Sequence, residues 1–231
     1  MHLNRAQVAG INRRGGQSLA GFVAGLGPAA WFRFNTGITS ALGLVSQWDD
    51  VSGNGRHLLQ ATETNQPTLE ADGSITFDGV DNYLKCDAFT LDQPETVYLL
   101  MKQVTWTVDE YFVDGNASQT GGLQTITATP SFRQNAGAVT AANENLAVDA
   151  YGVVSAVFNG ASSLSQVNLT ASVAGDAGAS NMGGFTLAAR GTNTNFAHIQ
   201  VKEVLIYAAA HDAATRARVI RYLAQVGNLG V

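Results

Sequence analysis

A chain of 231 residues with 13 Lys and Arg against 18 Asp and Glu, and a formal net charge of −5, offers no broad basic surface for neutralising phosphates, which argues against nucleic acid as a partner. Its single cysteine, Cys86, excludes an internal disulfide framework, and no run reaches the roughly 18 continuous apolar residues of a membrane-spanning helix. No Pro-rich linker, charge block or low-complexity tract divides the chain, so its length suits one all-β domain.

Residues 1–16 show neither the helical nor the strand hydrophobic period and hold Arg5, Arg13 and Arg14, three cations suited to acidic groups on another subunit. No signal-peptide type of apolar run follows, because Gly21, Gly25, Gly27 and Pro28 interrupt residues 19–31; the expectation is a protein made in the cytoplasm. Leu19, Phe22, Val23 and Leu26 fall at i, i+3, i+4 and i+7, the spacing of one helix face, with Ser18 as cap and Gly27-Pro28 as stop. That apolar face must cover the main domain or a neighbouring subunit. The reading divides the chain into an arm and short helix, 1–27, and a main domain, 28–231.

From residue 30 the texture changes to short apolar or alternating runs separated by Gly, Asn, Asp and Ser, the pattern of many strands with frequent turns. Trp31-Phe32-Arg33-Phe34 opens the series, and strands are expected at 75–77, 83–89, 96–104, 110–114, 123–128, 131–134, 152–158, 163–169, 184–189 and 197–207. Asp78-Gly79, Asp114-Gly115 and Asn159-Gly160 carry hairpin chemistry, and the middle of the chain has no helical pattern that could serve a parallel βαβ unit. Cys86, with no histidine constellation, reads as a small strand residue. By parity, Glu203 shares a face with Ile199, Val201, Leu205 and Tyr207, and a buried carboxylate there needs hydrogen bonds, expected from backbone N–H groups of a neighbouring loop. Asp212 can cap a last helix reaching about Val226, with Gly227 as stop; Arg216, Arg218 and Arg221 on it read as solvated.

Four blocks carry a resemblance. Trp48-Asp49-Asp50-Val51-Ser52-Gly53-Asn54-Gly55-Arg56-His57 resembles a sheet corner, and Ile75-Thr76-Phe77-Asp78-Gly79-Val80-Asp81-Asn82-Tyr83-Leu84 a hairpin, of the concanavalin A-like lectin/glucanase sandwiches, in particular the laminin G-like, pentraxin-type branch. Val153–Asn159 with Gly160, then Ser162–Asn168, is similar to the family's next strand pair, except that Leu169 stands where a glycine is expected; Phe196–Tyr207 with the 212–225 helix looks like its closing block. The resemblance implies a two-sheet antiparallel jelly roll with a short N-terminal helix and a C-terminal helix, Trp48 as core anchor, Gly53, Gly55, Asp78 and Gly79 as turn formers, and Glu203 as a structural acid. It implies that the chain changes sheets at Ser52–Gly55 and starts a hairpin at Asp78-Gly79.

A fold of this breadth names no function by itself. The glucanase pattern Glu-x-Asp-x-x-Glu, which sets two carboxylates on one strand face, is absent, and His198, Gln200 and Tyr207 only loosely echo the alginate-lyase relatives, so the expectation is that the chain is not an enzyme. Neither His57 nor His198 has a second histidine at zinc-ligand spacing. No cofactor is expected; calcium is the one ion that Asp49, Asp78, Asp81 and Asn82 could hold, although Asx residues in turns are first of all turn formers. For sugars, Trp106, Tyr111 and Phe112 are the stacking candidates. The arm, the missing export signal and the missing catalytic set point to a non-enzymatic virion structural protein of a tailed bacteriophage, a head decoration or tail component, homo-oligomeric and docked on other virion proteins through Arg5, Arg13, Arg14, Leu19, Phe22 and Val23. The alternative is a carbohydrate-binding module for host-surface polysaccharide, with a polysaccharide lyase or hydrolase third.

Overall fold

The computed structural model describes residues 17–126 and 130–231. Arg5, Arg13 and Arg14 lie outside these residues. The described elements are α1 (Leu19–Gly25), β1 (Ala30–Phe32), β2 (Ile38–Ala41), β3 (Leu44–Trp48), β4 (Leu58–Leu59), β5 (Thr68–Leu69), β6 (Ile75–Asp78), β7 (Leu84–Lys85), β8 (Glu95–Gln103), β9 (Tyr111–Asp114), β10 (Gly122–Thr125), β11 (Phe132–Asn135), β12 (Tyr151–Phe158), β13 (Ser163–Val167), β14 (Val173–Gly175), β15 (Thr186–Leu187), β16 (His198–Tyr207) and α2 (Ala213–Gly227).

All the strand pairings are antiparallel, in the order β11-β10-β9-β15-β7-β4-β3-β5-β6-β16-β8-β12-β13-β14, with β1 added to β16 and β2 to β3. This ladder turns over at the short β5 into two layers, an all-β sandwich. Phe112, Leu123 and Phe132 from one layer meet Val97, Leu99, Met101, Val154 and Ala156 from the other in one core, where Phe32 and Trp48 also pack. Burying such side chains contributes about 1.5–3 kcal/mol each.

The second layer has its outer face covered by both helices. Tyr98, Leu100, Val153, Leu205 and Tyr207 meet Val23 of α1 and Val219, Ile220 and Leu223 of α2. The Ser18 hydroxyl accepts from Gly21 N and the Asp212 carboxylate from Thr215 N, the two caps expected from the sequence. The stop of α2 is Asn228 in the left-handed region (φ 54°), with Gly227 still helical. Leu19 and Phe22 pack on this same cluster, and the Arg218 guanidinium lies 3.4 Å from the Phe22 ring centroid, so α1 covers the sandwich itself.

Two expectations change. A β-bulge between Val201 and Glu203 breaks the parity of β16: Ile199, Val201, Val204 and Ile206 face the sandwich core, whereas Leu205 and Tyr207 face the helices. Glu203 sits with the latter, and its acceptors are filled mainly by side chains: Oε1 takes Trp31 Nε1 and Tyr222 Oη, both at 2.7 Å, and Oε2 takes Phe34 N at 3.2 Å. The sheet change also moves. β3 and β4, on either side of the Ser52–Gly55 turn, pair with each other, whereas β6 pairs with β5 and β16 and β7 with β4 and β15. The crossing between layers therefore lies at Asp78-Gly79, where Asp78 Oδ1 accepts from Val80, Asp81 and Asn82 N. Gly79 has φ 75°, and a Cβ there would stand 3.0 Å from His198 N.

Candidate functional site

The outer face of the first layer has no helix over it, and here the chain forms a groove. Its floor is where β4 and β7 run side by side, Leu59 opposite Lys85. Strand alternation turns Leu58 into the core and Leu59 outward, 40% exposed.

One wall is the 49–57 turn. The Asp50 carboxylate accepts from the backbone N–H groups of Trp31, Ser52 and Arg56; these hydrogen bonds outweigh burial, which raises its pKa, and leave it below the usual range. Gly53 and Gly55 take the positive φ values the turn requires, 91° and 70°. Asn54 Nδ2 donates to Pro28 O and Ala29 O, and Arg56 Nη1 to Ala29 O. With its backbone and one guanidinium nitrogen fixed, Arg56 lies 4.0 Å from the Phe89 ring centroid, a cation stacked on an aromatic face. His57 Nδ1 stands 3.2 Å from both Asp49 Oδ1 and Asp50 N.

Two adjoining hollows share Leu59, Asp87 and Ala88. The first, about 260 Å³, runs from Asn54 to Phe89 past Arg56 and His57. The second, about 530 Å³, is bounded by Gln60, Thr62, Tyr83 and Asn116. Together they match the size of small-molecule sites, about 300–1,000 Å³. The far side is equally fixed. Lys85 Nζ donates to Asn116 O and Gly191 O, and the buried Asp114 carboxylate gathers the N–H groups of Gly115, Gln119, Thr120, Gly121 and Gly191. Burial pushes the Asp114 carboxyl up against the pull of those N–H groups. Cys86 is buried and bonded to the Phe185 backbone, and burial pushes its thiol up to about 11, the behaviour of a structural residue.

The residues singled out in the sequence fall elsewhere. Phe112 is a core side chain with no exposure, Tyr111 is fully covered on the outer face, and Trp106 packs partly buried against the core, so the three do not form an exposed stacking platform. Asp49 lies beside the groove, where it accepts from Gln47 Nε2, whereas Asp78, Asp81 and Asn82 are bound up in the layer crossing, Asn82 Nδ2 donating to Asp81 Oδ1. Among the described residues no group of three or more His, Cys, Asp or Glu gathers as metal ligands. His198 pairs with Thr105, Gln200 with Tyr151 and Thr76, and Tyr207 donates to Val23 O, three separate contacts. Arg56, Leu59, Phe89 and Asn116 were not among the sequence candidates. Only Arg56, directly after the Ser-Gly-Asn-Gly turn, stood within a recognised block; Leu58-Leu59 reads as core until the strand direction is known.

No protein-family model and no curated protein matches the sequence. Solved structures do. A Trypanosoma rangeli sialidase in complex with 2,3-difluorosialic acid superposes over 89% of this chain and 34% of its own, with a TM-score of 0.62 and 14% identity. A mutant of that sialidase displaying trans-sialidase activity gives 0.64 at 12% identity, over 90% and 35% of the two chains. A GH54 α-L-arabinofuranosidase soaked with a cyclic sulfate inhibitor gives 0.62 at 14% identity, over 85% and 59%. The chain thus spans about a third of the length of these sialidases.

This likeness corrects the expected function. The proteins that share the fold over most of this chain are carbohydrate-active enzymes, which overturns both the reading as a non-enzymatic bacteriophage virion component and the expectation that the chain is not an enzyme. The fold is a β-sandwich of the kind found in glycoside hydrolase-related proteins.

Proposed function

We propose that this chain is a carbohydrate-recognising sandwich of a carbohydrate-active protein and that the groove over β4 and β7 receives a sugar ring. The observation that carries the reading is the composition of the groove: an exposed aliphatic floor, Leu59, and an Arg56–Phe89 stack, set among polar residues such as His57, Asp87 and Asn116. A pyranose has the matching character, a C–H face that packs on apolar and aromatic surface and hydroxyls that bond to a polar rim. The neighbours' own ligands, a difluorosialic acid and a cyclic sulfate inhibitor of an arabinofuranosidase, lend support as sugar-directed compounds. Within the fold, the Trp48–His57 block and the closing strand and helix favour the laminin G-like branch.

Binding is measured by calorimetric titration with oligosaccharides first selected on a glycan array. Leu59→Ala is expected to weaken binding at least tenfold with the melting temperature unchanged; Phe89→Ala is expected to weaken it as well but with a lowered melting temperature, because Phe89 also packs against the core. The same mixtures, assayed for released reducing sugar, report whether the bound glycan is cleaved. Wild-type protein that binds no oligosaccharide saturably would overturn the proposal.

A further inference from the structure

The groove over β4 and β7 carries two cations, one in each hollow: Arg56 lines the first and Lys85 the second. Among the described residues Asp87 is the one acid that lines either hollow, and it is exposed. Asp49, beside the first hollow, accepts from Gln47 Nε2 and stands 3.2 Å from His57 Nδ1.

Neither cation is spent on a carboxylate. Among the described residues the ion pairs join His57 to Asp49, Lys102 to Asp149 and Lys202 to Asp72. Of the chain's three lysines, Lys85 is therefore the one outside these pairs. Arg56 Nη1 donates to Ala29 O, and Lys85 Nζ donates to Asn116 O and Gly191 O. Both side chains are thus held by neutral backbone carbonyls, which fix a donor without cancelling its charge.

The Arg56 head is set in place and still open. Its backbone N–H donates to Asp50 Oδ2, and its guanidinium carbon lies 4.0 Å from the ring centroid of Phe89, which lines the same hollow. A guanidinium has five N–H groups in a planar fork. Beyond Nη1, Nε and Nη2 meet no acceptor among the described residues, and neither is enclosed. A preset planar cation with free donors in an open hollow fits an oxyanion, which can take two parallel N–H bonds from it. Because the whole chain carries a net charge of −5, long-range attraction does not collect anions here; the local donors decide.

We infer that the groove selects an acidic saccharide, whose carboxylate or sulfate sits on Arg56 in the first hollow, with Lys85 adding to the local positive field and Asp87 opposing it. The inference rests on the sugar-binding role proposed for the groove; the preference for a charged sugar rests on Arg56 and Lys85.

The test titrates the full chain with a uronic-acid hexasaccharide, with the same hexasaccharide after reduction of its carboxyls to alcohols, and with the reduced form carrying sulfate esters. The readout is the ratio of charged-probe to reduced-probe affinity. Wild type is expected to give a ratio of about ten or more for at least one charged probe, as charge-assisted hydrogen bonds provide, and the larger ratio identifies the anion. Arg56→Gln is expected to bring the ratio close to one, and Asp87→Asn to raise it about two- to fivefold, the size of an exposed charge interaction. A ratio that neither variant changes overturns the inference. Should Arg56→Gln lower the melting temperature through the lost bond to Ala29, Asp87→Asn decides, and an unchanged ratio in it overturns the inference. Equal binding of charged and reduced probes by wild type overturns this inference and leaves the groove reading standing, as does binding of array-selected neutral sugars alone. No saturable binding of any sugar overturns both.

Discussion

The two outer faces of the sandwich handle polar groups in opposite ways. On the helix-covered face the buried Glu203 carboxylate meets Trp31 Nε1, Tyr222 Oη and Phe34 N, and Tyr98 Oη bonds to His211 Nδ1. On the open face the Nε atoms of Arg133 and Arg190 have no partner and Leu59 is left exposed. The helix-covered face satisfies its polar groups within the fold, whereas the open face leaves polar atoms unmet and an aliphatic side chain within reach of solvent.

Mutations should separate the faces. Glu203→Leu leaves two buried donors and one half-buried donor without an acceptor, so at about 1–3 kcal/mol for each buried one the loss of folding stability is expected to be about 2 kcal/mol or more. Chemical denaturation measures it; a loss below about 1 kcal/mol would mean that the network does not hold the helix layer.

Between the faces lies a second buried acid that sharpens the contrast. Glu95 shares the core-facing parity of Val97 and Leu99, has no exposure, and neither carboxyl oxygen has a hydrogen-bond partner. Burial, and to a lesser degree Asp92, pushes its pKa up to about 9. Since its folded pKa lies above the ordinary 4.5, the folded state holds a proton that the unfolded chain has lost, and stability falls as pH rises from about 4.5 to about 9, by at most about 1.4 kcal/mol per unit. Glu95→Met is therefore expected to stabilise the protein, with a gain that grows from pH 5 to pH 8 in urea melts. A gain independent of pH would refute the assignment.

His211 gives the opposite slope. Burial lowers its pKa to about 4, so the unfolded chain binds a proton that the folded one refuses, and stability is lost as pH falls from about 6.5 towards 4. His211→Gln is expected to flatten the acid side of the stability profile, measured over the same series. On the open face Leu59→Ala should change stability by no more than about 0.5 kcal/mol, as surface substitutions usually do, while it weakens sugar binding.

What the sequence made legible follows the same division. Both helices, their caps Ser18 and Asp212, most of the longer strands and Trp48 as core could be read, because periodicity and capping are local properties. Short strands such as β4 and β5 could not, since two residues carry no period. The Lys202 bulge was invisible and reversed the parity of Glu203 relative to Ile199 and Val201. The groove was missed for a related reason: Leu59, Phe89 and Asn116 come together only through the pairing of β4 with β7 and the Asp114-centred loop, and an outward leucine next to an inward one has no signature of its own.

The most direct test of the account is titration of wild type and Leu59→Ala with the same array-selected oligosaccharide. Saturable wild-type binding, weakened at least tenfold in the variant at equal melting temperature, is the predicted result. Undiminished binding by the variant would contradict the placement of the sugar site in the groove.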